Sequence, residues 1–243
     1  LEENLEAIRR IKKDYPNKKH DIIIVKHSIE KSGGDKSMNY SKLLTPYKIG
    51  KMQVKNRIVM APMGLNAAHP DGTIDNDEID YFEERAKGGT GLIIIGCQFL
   101  TKELAQGSLE GYLDKTHVIP QLTNLCETVK KYGTKISAQL SCGTGKNAFA
   151  NMFGDPPVSA SAIPSMFDPD LICHALDTEE IKQIMKQFAF SAKLLKDAGF
   201  DAIEIHAHAG YLVDQFMSDV WNKRNDEYGG TPEKRMRFPI EIV

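Results

Sequence analysis

From residue 38 onward, short runs of aliphatic side chains alternate with stretches in which apolar residues recur every three or four positions. That alternation predicts strands and amphipathic helices in turn. Strands are expected at residues 57–61, 91–96, 135–140 and 200–206. A helix is expected over 77–87 with Ile79, Phe82 and Ala86 facing inward, ended by Gly88-Gly89. A second, over 118–132, carries Leu122, Leu125 and Val129 and stops at Gly133. A third begins at Asp177, with acidic residues in its first turn that favour the helix dipole, and runs to Ala198 before Gly199. Ahead of these, Leu1, Leu5, Ile8 and Ile11 have helical spacing up to Pro16. Residues 21–26 read as a short strand and 30–37 as a linker. We therefore divide the chain into an extension of unknown origin, 1–37, and a main unit, 38–243, that starts at Met38.

The sequence helix end, glycine, aliphatic strand recurs three times, at Lys87-Gly-Gly-Thr-Gly-Leu-Ile, Lys131-Tyr-Gly-Thr-Lys-Ile and Asp197-Ala-Gly-Phe-Asp-Ala-Ile. A parallel sheet built from βαβ units explains such a repeat. An eight-stranded (β/α) barrel takes about 250 residues, yet only four clear strands follow Met38. The expected fold class is thus α/β of the TIM (β/α)8 barrel family, with about the first four β/α units in this chain. An open doubly wound sheet is the alternative, but no G-x-G-x-x-G follows the first strand, which argues against a dinucleotide-binding version. Half a barrel would expose the free edges of its first and fourth strands and much of its apolar interior.

Composition narrows the function classes. The chain has 243 residues, 41% hydrophobic and 26% charged, as in an ordinary globular protein. With 31 basic and 33 acidic residues the net charge is −2, which offers no field to gather nucleic acid or an anionic membrane. The longest aliphatic runs hold four residues, far short of the roughly 20 that cross a bilayer. The first ten residues lack the features of a secretory signal. Cys97, Cys126, Cys142 and Cys173 form no C-x-x-C pair, so zinc or iron–sulfur ligation has no support within the chain, no metal site is expected, and reduced thiols in the cytoplasm are the expectation. A first residue that is not Met, and an apolar last stretch, suggest that both ends are cut.

In parallel α/β proteins functional groups gather at the carboxyl ends of the strands. Here those ends are Ala61-Pro-Met-Gly64, Gly96-Cys97, Gln139-Leu-Ser-Cys142 and His206-Ala-His-Ala-Gly-Tyr211. They supply close backbone approach, an amide, two imidazoles and a phenol. Paired carboxylates, a metal-ligand set and a Ser/His/Asp grouping are lacking, so hydrolysis is not the natural reading. Asn56-Arg-Ile-Val-Met-Ala-Pro-Met63, Ala138-Gln-Leu140, Gly199-Phe-Asp-Ala-Ile-Glu-Ile-His206, Gly210-Tyr-Leu-Val-Asp-Gln-Phe-Met217 and Asn222-Lys-Arg-Asn-Asp-Glu-Tyr-Gly-Gly-Thr-Pro-Glu-Lys-Arg-Met-Arg-Phe238 together resemble the old yellow enzyme family, in its order and spacing, from Tyr40 to Val243. In style the chain is similar to the larger NADH:flavin oxidoreductases, including enoate, dienoyl-CoA and bile-acid-type reductases.

That resemblance implies FMN held over the strand ends, NADH or NADPH as reductant, and an activated C=C bond of an unsaturated carbonyl compound as acceptor. It implies that Ala61, Pro62, Met63 and Gly64 lie along the flavin ring, that Cys97 offers its backbone there, and that Gln139 meets the pyrimidine edge. His206 is implied to hydrogen-bond the substrate oxygen, and Tyr211 to protonate the α-carbon. The family's second donor stands three residues after the first. Here that position is Ala209, while His208 is one place earlier and shares a strand face with His206 if the chain stays extended. Cys97 and Cys142 read as inert thiols. Arg224, Asp226, Tyr228, Arg235 and Arg237 read as a structural network. The basic residue beside the flavin, its phosphate site and any iron–sulfur cysteines would come from sequence beyond Val243.

Three functions follow as expectations. The first is the amino-terminal half of an FMN-dependent ene-reductase-like oxidoreductase. The second is a truncated half barrel without flavin, acting only by association, including self-association through its barrel edges. The third, a (β/α) barrel aldolase or isomerase, is weakened by the lack of a strand-end lysine for Schiff-base chemistry.

Overall fold

The computed structural model describes residues 41–105, 108–151 and 154–243. The helix, strand and linker expected before residue 38, and the start at Met38, lie outside these residues. A 3-10 turn, Ser41–Leu44, leads into an antiparallel hairpin of β1, Tyr47–Ile49, and β2, Met52–Val54. The hairpin turns on Gly50, whose φ of 58° suits the first position of a two-residue loop. The main strand-and-helix series begins with β3, Val59–Met60, followed by α1, Asn76–Lys87, and β4, Leu92–Phe99. A short helix, α2, Lys102–Ala105, and a 3-10 turn, Thr116–Val118, precede α3, Ile119–Lys130, and β5, Lys135–Ser141. The Gly/Pro/Ser-rich excursion holds a two-residue parallel pair, β6, Val158–Ser159, and β7, His174–Ala175. Then come α4, Thr178–Ala198, β8, Ala202–Ile205, α5, Leu212–Met217, α6, Pro232–Arg235, and α7, Arg237–Ile242.

The helix ends follow the chemistry expected of them. Asp75 caps α1 by accepting the Asp77 N–H at 2.8 Å. Asp177 and Glu180 form a reciprocal capping box on α4, and Gly199 closes that helix at φ 100°, where a Cβ would be strained. Expected inner faces are buried as read: Ile79, Phe82 and Ala86 on α1, and Leu122, Leu125 and Val129 on α3.

The parallel sheet has the order β3-β4-β5-β8, with α1, α3 and α4 as its crossovers. Strands added one after another in chain order, without the reversal of a doubly wound sheet, make the amino-terminal part of a (β/α) barrel. In the central pair, Ile93 stands opposite Ile136 and Ile95 opposite Ala138. These four, with Leu140, form a fully buried layer in one cluster with Phe82, Leu122, Leu125, Ile181 and Leu195 from the three helices. The outer strands differ: Val59 on β3 is 45% exposed and Ile203 on β8 is 37% exposed.

Strand limits depart from the expected ones for local reasons. β3 is shorter than 57–61 because the Asn56 side chain, bonded to the Gly89 carbonyl at 2.7 Å, also takes the Ile58 N–H at 3.1 Å. β4 runs past Gly96 to Phe99 after a register shift between Ile95 and Gln98. Around β8 the flanking Asp201 and His206 N–H groups bond to Ile136 and Leu140 carbonyls, both at 2.9 Å, so the ladder reaches one residue beyond each end.

Candidate active site

The site is assembled where β3, β4, β5 and β8 end. After β3 the chain crosses the end of β4 at a distance only glycine permits. A Cβ on Gly96 would sit 2.4 Å from the Met63 carbonyl oxygen and 2.9 Å from the Gly64 Cα. On its other side the crossing segment rests on Glu110, whose Oε1 accepts the Asn66 N–H at 2.7 Å and would lie 2.4 Å from a Cβ on Gly64. Burial pushes the Glu110 carboxyl upward, and pushes neighbouring Glu78 up to about 7, with the Glu110 charge adding to the effect. Held from two sides, residues 61–64 leave Ala61, Met63 and Gly64 exposed and Pro62 half-buried, an accessible backbone ledge.

Cys97 is half-buried beside this ledge, and burial pushes its thiol up to about 11, so it stays protonated at neutral pH. Cys142 is buried and its thiol is pushed further up for the same reason. Among the described residues no group of three His, Cys, Asp or Glu side chains is placed to hold a metal ion, and no helix is long and apolar enough to cross a membrane.

Gln139, 5% exposed, projects from β5 and donates from Nε2 to Glu204 Oε1 at 2.7 Å. The two residues are register partners on β5 and β8. A carboxylate only accepts, so the amide nitrogen must face Glu204. Glu204 was not among the residues singled out from sequence, although a carboxylate inside the aliphatic run Ala202-Ile-Glu-Ile205 is a signal that something polar faces it.

His206 is 7% exposed, and its ring is stacked between two others. The His208 ring lies 4.5 Å away on centroids and the Tyr211 ring 4.3 Å away, each inclined by 28°. Burial, with the His208 charge second, lowers His206 to about 4, so its imidazole is neutral at pH 7 and carries one N–H. Its Nδ1 is buried and has no hydrogen-bond partner among the described residues. Burial raises the Tyr211 phenol above its ordinary value, with Cys97 contributing, which keeps the proton on.

β8 ends at Ile205, but the ladder continues through the His206 N–H, and His208, two residues on, sets its ring against His206 as that spacing suggested. The third ring comes from a turn: Ala209 and Gly210 both take left-handed φ, 61° and 71°, and fold Tyr211 back over His206. A polar frame missed by sequence reading fixes this turn. Gly210 donates its N–H to Asp214 Oδ2 at 2.8 Å, and Asn147 Nδ2 lies 3.2 Å from both the Ala209 and Gly210 carbonyls. Gln215, fully buried, donates to the Gly210 carbonyl at 2.6 Å and the Thr144 carbonyl at 3.2 Å. Its Oε1 accepts from the Lys146 N–H and the Ser159 hydroxyl. Gln215 stands one helical turn after Tyr211, the only hint the sequence held.

The Arg224 network has the structural form expected of it. Arg224 forks onto Asp226, with Nη2 to Oδ2 at 2.6 Å, and donates to the Ala160 and Leu176 carbonyls. Asn222 Nδ2 ties the Phe216 and Tyr228 carbonyls, both at 2.7 Å, and the Tyr228 hydroxyl bonds to Glu241. Arg235 bonds to the Met217 and Gly230 carbonyls, and Arg237 to Glu227 and Glu241.

The parts suit a flat ring with a polar edge: an exposed backbone ledge, a buried amide of fixed orientation, and an unpaired buried imidazole nitrogen. The family model described as NADH:flavin oxidoreductase / NADH oxidase matches residues 42–243. Cinnamate reductase of Clostridium sporogenes is 42% identical over 210 residues, covering 84% of this chain and 32% of that protein. NADPH dehydrogenase of Bacillus subtilis is 37% identical over 207 residues, covering 83% and 59%. A structure of morphinone reductase in complex with tetrahydroNAD superposes with a TM-score of 0.76 at 28% identity, covering 82% of this chain and 58% of that one. The chain thus spans about a third of the first of these relatives and under three-fifths of the other two.

Proposed function

Because the chain belongs to the NADH:flavin oxidoreductase / NADH oxidase family, we propose that its full-length protein uses FMN to pass hydride from NADH or NADPH to the activated C=C bond of an α,β-unsaturated carbonyl compound. The observation that carries this reading is the stack of a buried, neutral His206, with its unpaired Nδ1, between His208 and a protonated Tyr211. When bound, FMN supplies the hydride that it has taken from the reduced nicotinamide.

The residues of this chain have distinct tasks in that reading. Ala61 to Gly64 and the backbone at Cys97 make the surface on which the flavin ring lies, and Gln139 meets its pyrimidine edge. His206 and His208 donate hydrogen bonds to the substrate's carbonyl or carboxylate oxygen, where negative charge builds as the β-carbon gains hydride. A neutral imidazole keeps one donor for that oxygen. Tyr211 gives its proton to the α-carbon and regains one from solvent, so the alkene gains one hydride and one proton. The raised phenol suits an acid that must hold its proton until the adjacent carbon becomes basic. The four thiols, none of them in a disulfide, suit a cytoplasmic setting.

The test is made on the full-length protein loaded with FMN. We expect a flavin absorption spectrum, bleaching by NADH or NADPH without oxygen, and recovery on adding an α,β-unsaturated carboxylate or ketone. Tyr211→Phe should slow the recovery about 100-fold and leave the bleaching step intact. Absence of a flavin spectrum, or of any C=C reduction, would overturn the reading. The exposed edges at Val59 and Ile203 favour a second one, in which the 243-residue chain alone binds no flavin and pairs through those edges. A monodisperse, flavin-bound monomer of that chain on size exclusion would rule it out.

A further inference from the structure

We infer that Glu204 is a positioning residue for the flavin: it locks the side-chain amide of Gln139 in one of its two orientations and so sets which hydrogen-bonding pattern the ring edge meets. This rests on the function proposed above. Gln139 Nε2 and Glu204 Oε1 are 2.7 Å apart, the two residues are paired in register on adjacent parallel strands, and Gln139 is 5% exposed. An amide next to neutral groups can rotate by half a turn and exchange its donor for its acceptor. Beside a carboxylate that exchange would set two acceptor oxygens against each other in a buried place, so it is closed off.

The bond to Glu204 uses one of the two amide hydrogens. What remains on Gln139 is one N–H and the Oε1 acceptor, side by side. A pyrimidine-type edge that offers an N–H next to a carbonyl is complementary to that pair and to no edge made only of acceptors. The hydrogen bond to a full negative charge also polarises the amide and strengthens Oε1 as an acceptor. Glu204 therefore acts on the flavin through Gln139 and not by contact. His206, two residues along and just past the end of the same strand, ties the stack of rings to the carboxylate's own backbone.

The inference is tested by titrating FMN into the full-length apoprotein and measuring the midpoint potential of the loaded form, for wild type, E204L, E204Q, Q139L and the double variant E204L/Q139L. E204L should weaken FMN binding about tenfold, the scale of one lost hydrogen-bond pattern, and shift the potential. E204Q keeps the side chain's size but is neutral and can rotate together with Gln139, so it loosens the lock without removing the partner and should bind FMN at a level between wild type and E204L. In the Q139L background, E204L should add no further loss. Unchanged binding and potential in E204L, or the same loss with and without Gln139, would overturn the positioning role. Wild type that binds no FMN would instead overturn the function on which it rests.

Discussion

The inner and outer strands of this sheet are built from similar residues and live in different surroundings. β4 and β5 each pair on both edges and lie under α1, α3 and α4, with Ile93, Ile95, Ile136, Ala138 and Leu140 removed from solvent. Among the described residues β3 and β8 pair on one edge only, and Val59 and Ile203 stay exposed. Yet the outer strands carry the ledge of residues 61–64 and the stack of His206, His208 and Tyr211. Burial is concentrated in the middle of the sheet, while the site spans all four strand ends, with Cys97 on β4 and Gln139 on β5 between the ledge and the ring stack.

The sharpest way to break that contrast is a pair of truncations read by urea denaturation. Leu140→Ala empties a site with no solvent contact and should destabilise by about 2–5 kcal/mol. Ile203→Ala removes a side chain already 37% exposed and should cost roughly 1 kcal/mol or less. Equal losses would mean that the outer strand is packed as tightly as the inner one.

The second test uses pH on the margin. The folded state holds His206 at about 4 against an ordinary 6.5, so between those values the unfolded chain takes up a proton that the folded site refuses. Stability should therefore be full above pH 6.5, fall as pH drops towards 4, and flatten below it, by at most about 3 kcal/mol. His206→Asn should remove that part of the fall, measured as the difference between the two proteins' urea midpoints at pH 7.5 and pH 5. A wild-type profile identical to the variant's would show that the ring is already solvated.

The smallest effect is expected in the turn after β8. Ala209 holds φ at 61°, which costs an L-residue on the order of 1 kcal/mol. Ala209→Gly should relieve this, less the entropy glycine loses on folding, for a net gain of roughly 0.5 kcal/mol in thermal unfolding. A loss instead would show that the alanine methyl contributes packing to the stack.

How much of this was legible in the sequence follows the same contrast. The inner strands and long helices declare themselves through period, because Ile93, Phe82, Leu122 and their neighbours repeat at spacings that only one geometry buries together. The hairpin β1 to β2, the pair β6 to β7 and α5 to α7 are too short to show a period at all. At the site, the ledge residues and His206, His208 and Tyr211 were reached through strand ends and family resemblance. Glu204, Asn147 and Gln215 were not, since each works by bonding a partner about 60 to 70 residues away in the chain. The pairing of His208 with His206 follows the two-residue spacing, whereas the return of Tyr211 over His206 depends on the left-handed turn at Ala209 and Gly210.

The Arg224 guanidinium does more than fill a gap between loops. It holds the carbonyls of Ala160 and Leu176, one at each end of the stretch between them, while the Ser161 hydroxyl accepts the Lys223 N–H at 2.8 Å. A loop whose two ends are tied at one knot has had its closure settled locally, and lengthening such a loop costs little. Insertions among the exposed residues 166–170 should thus cost little, because the Arg224 knot keeps both ends of the stretch in place whatever its length.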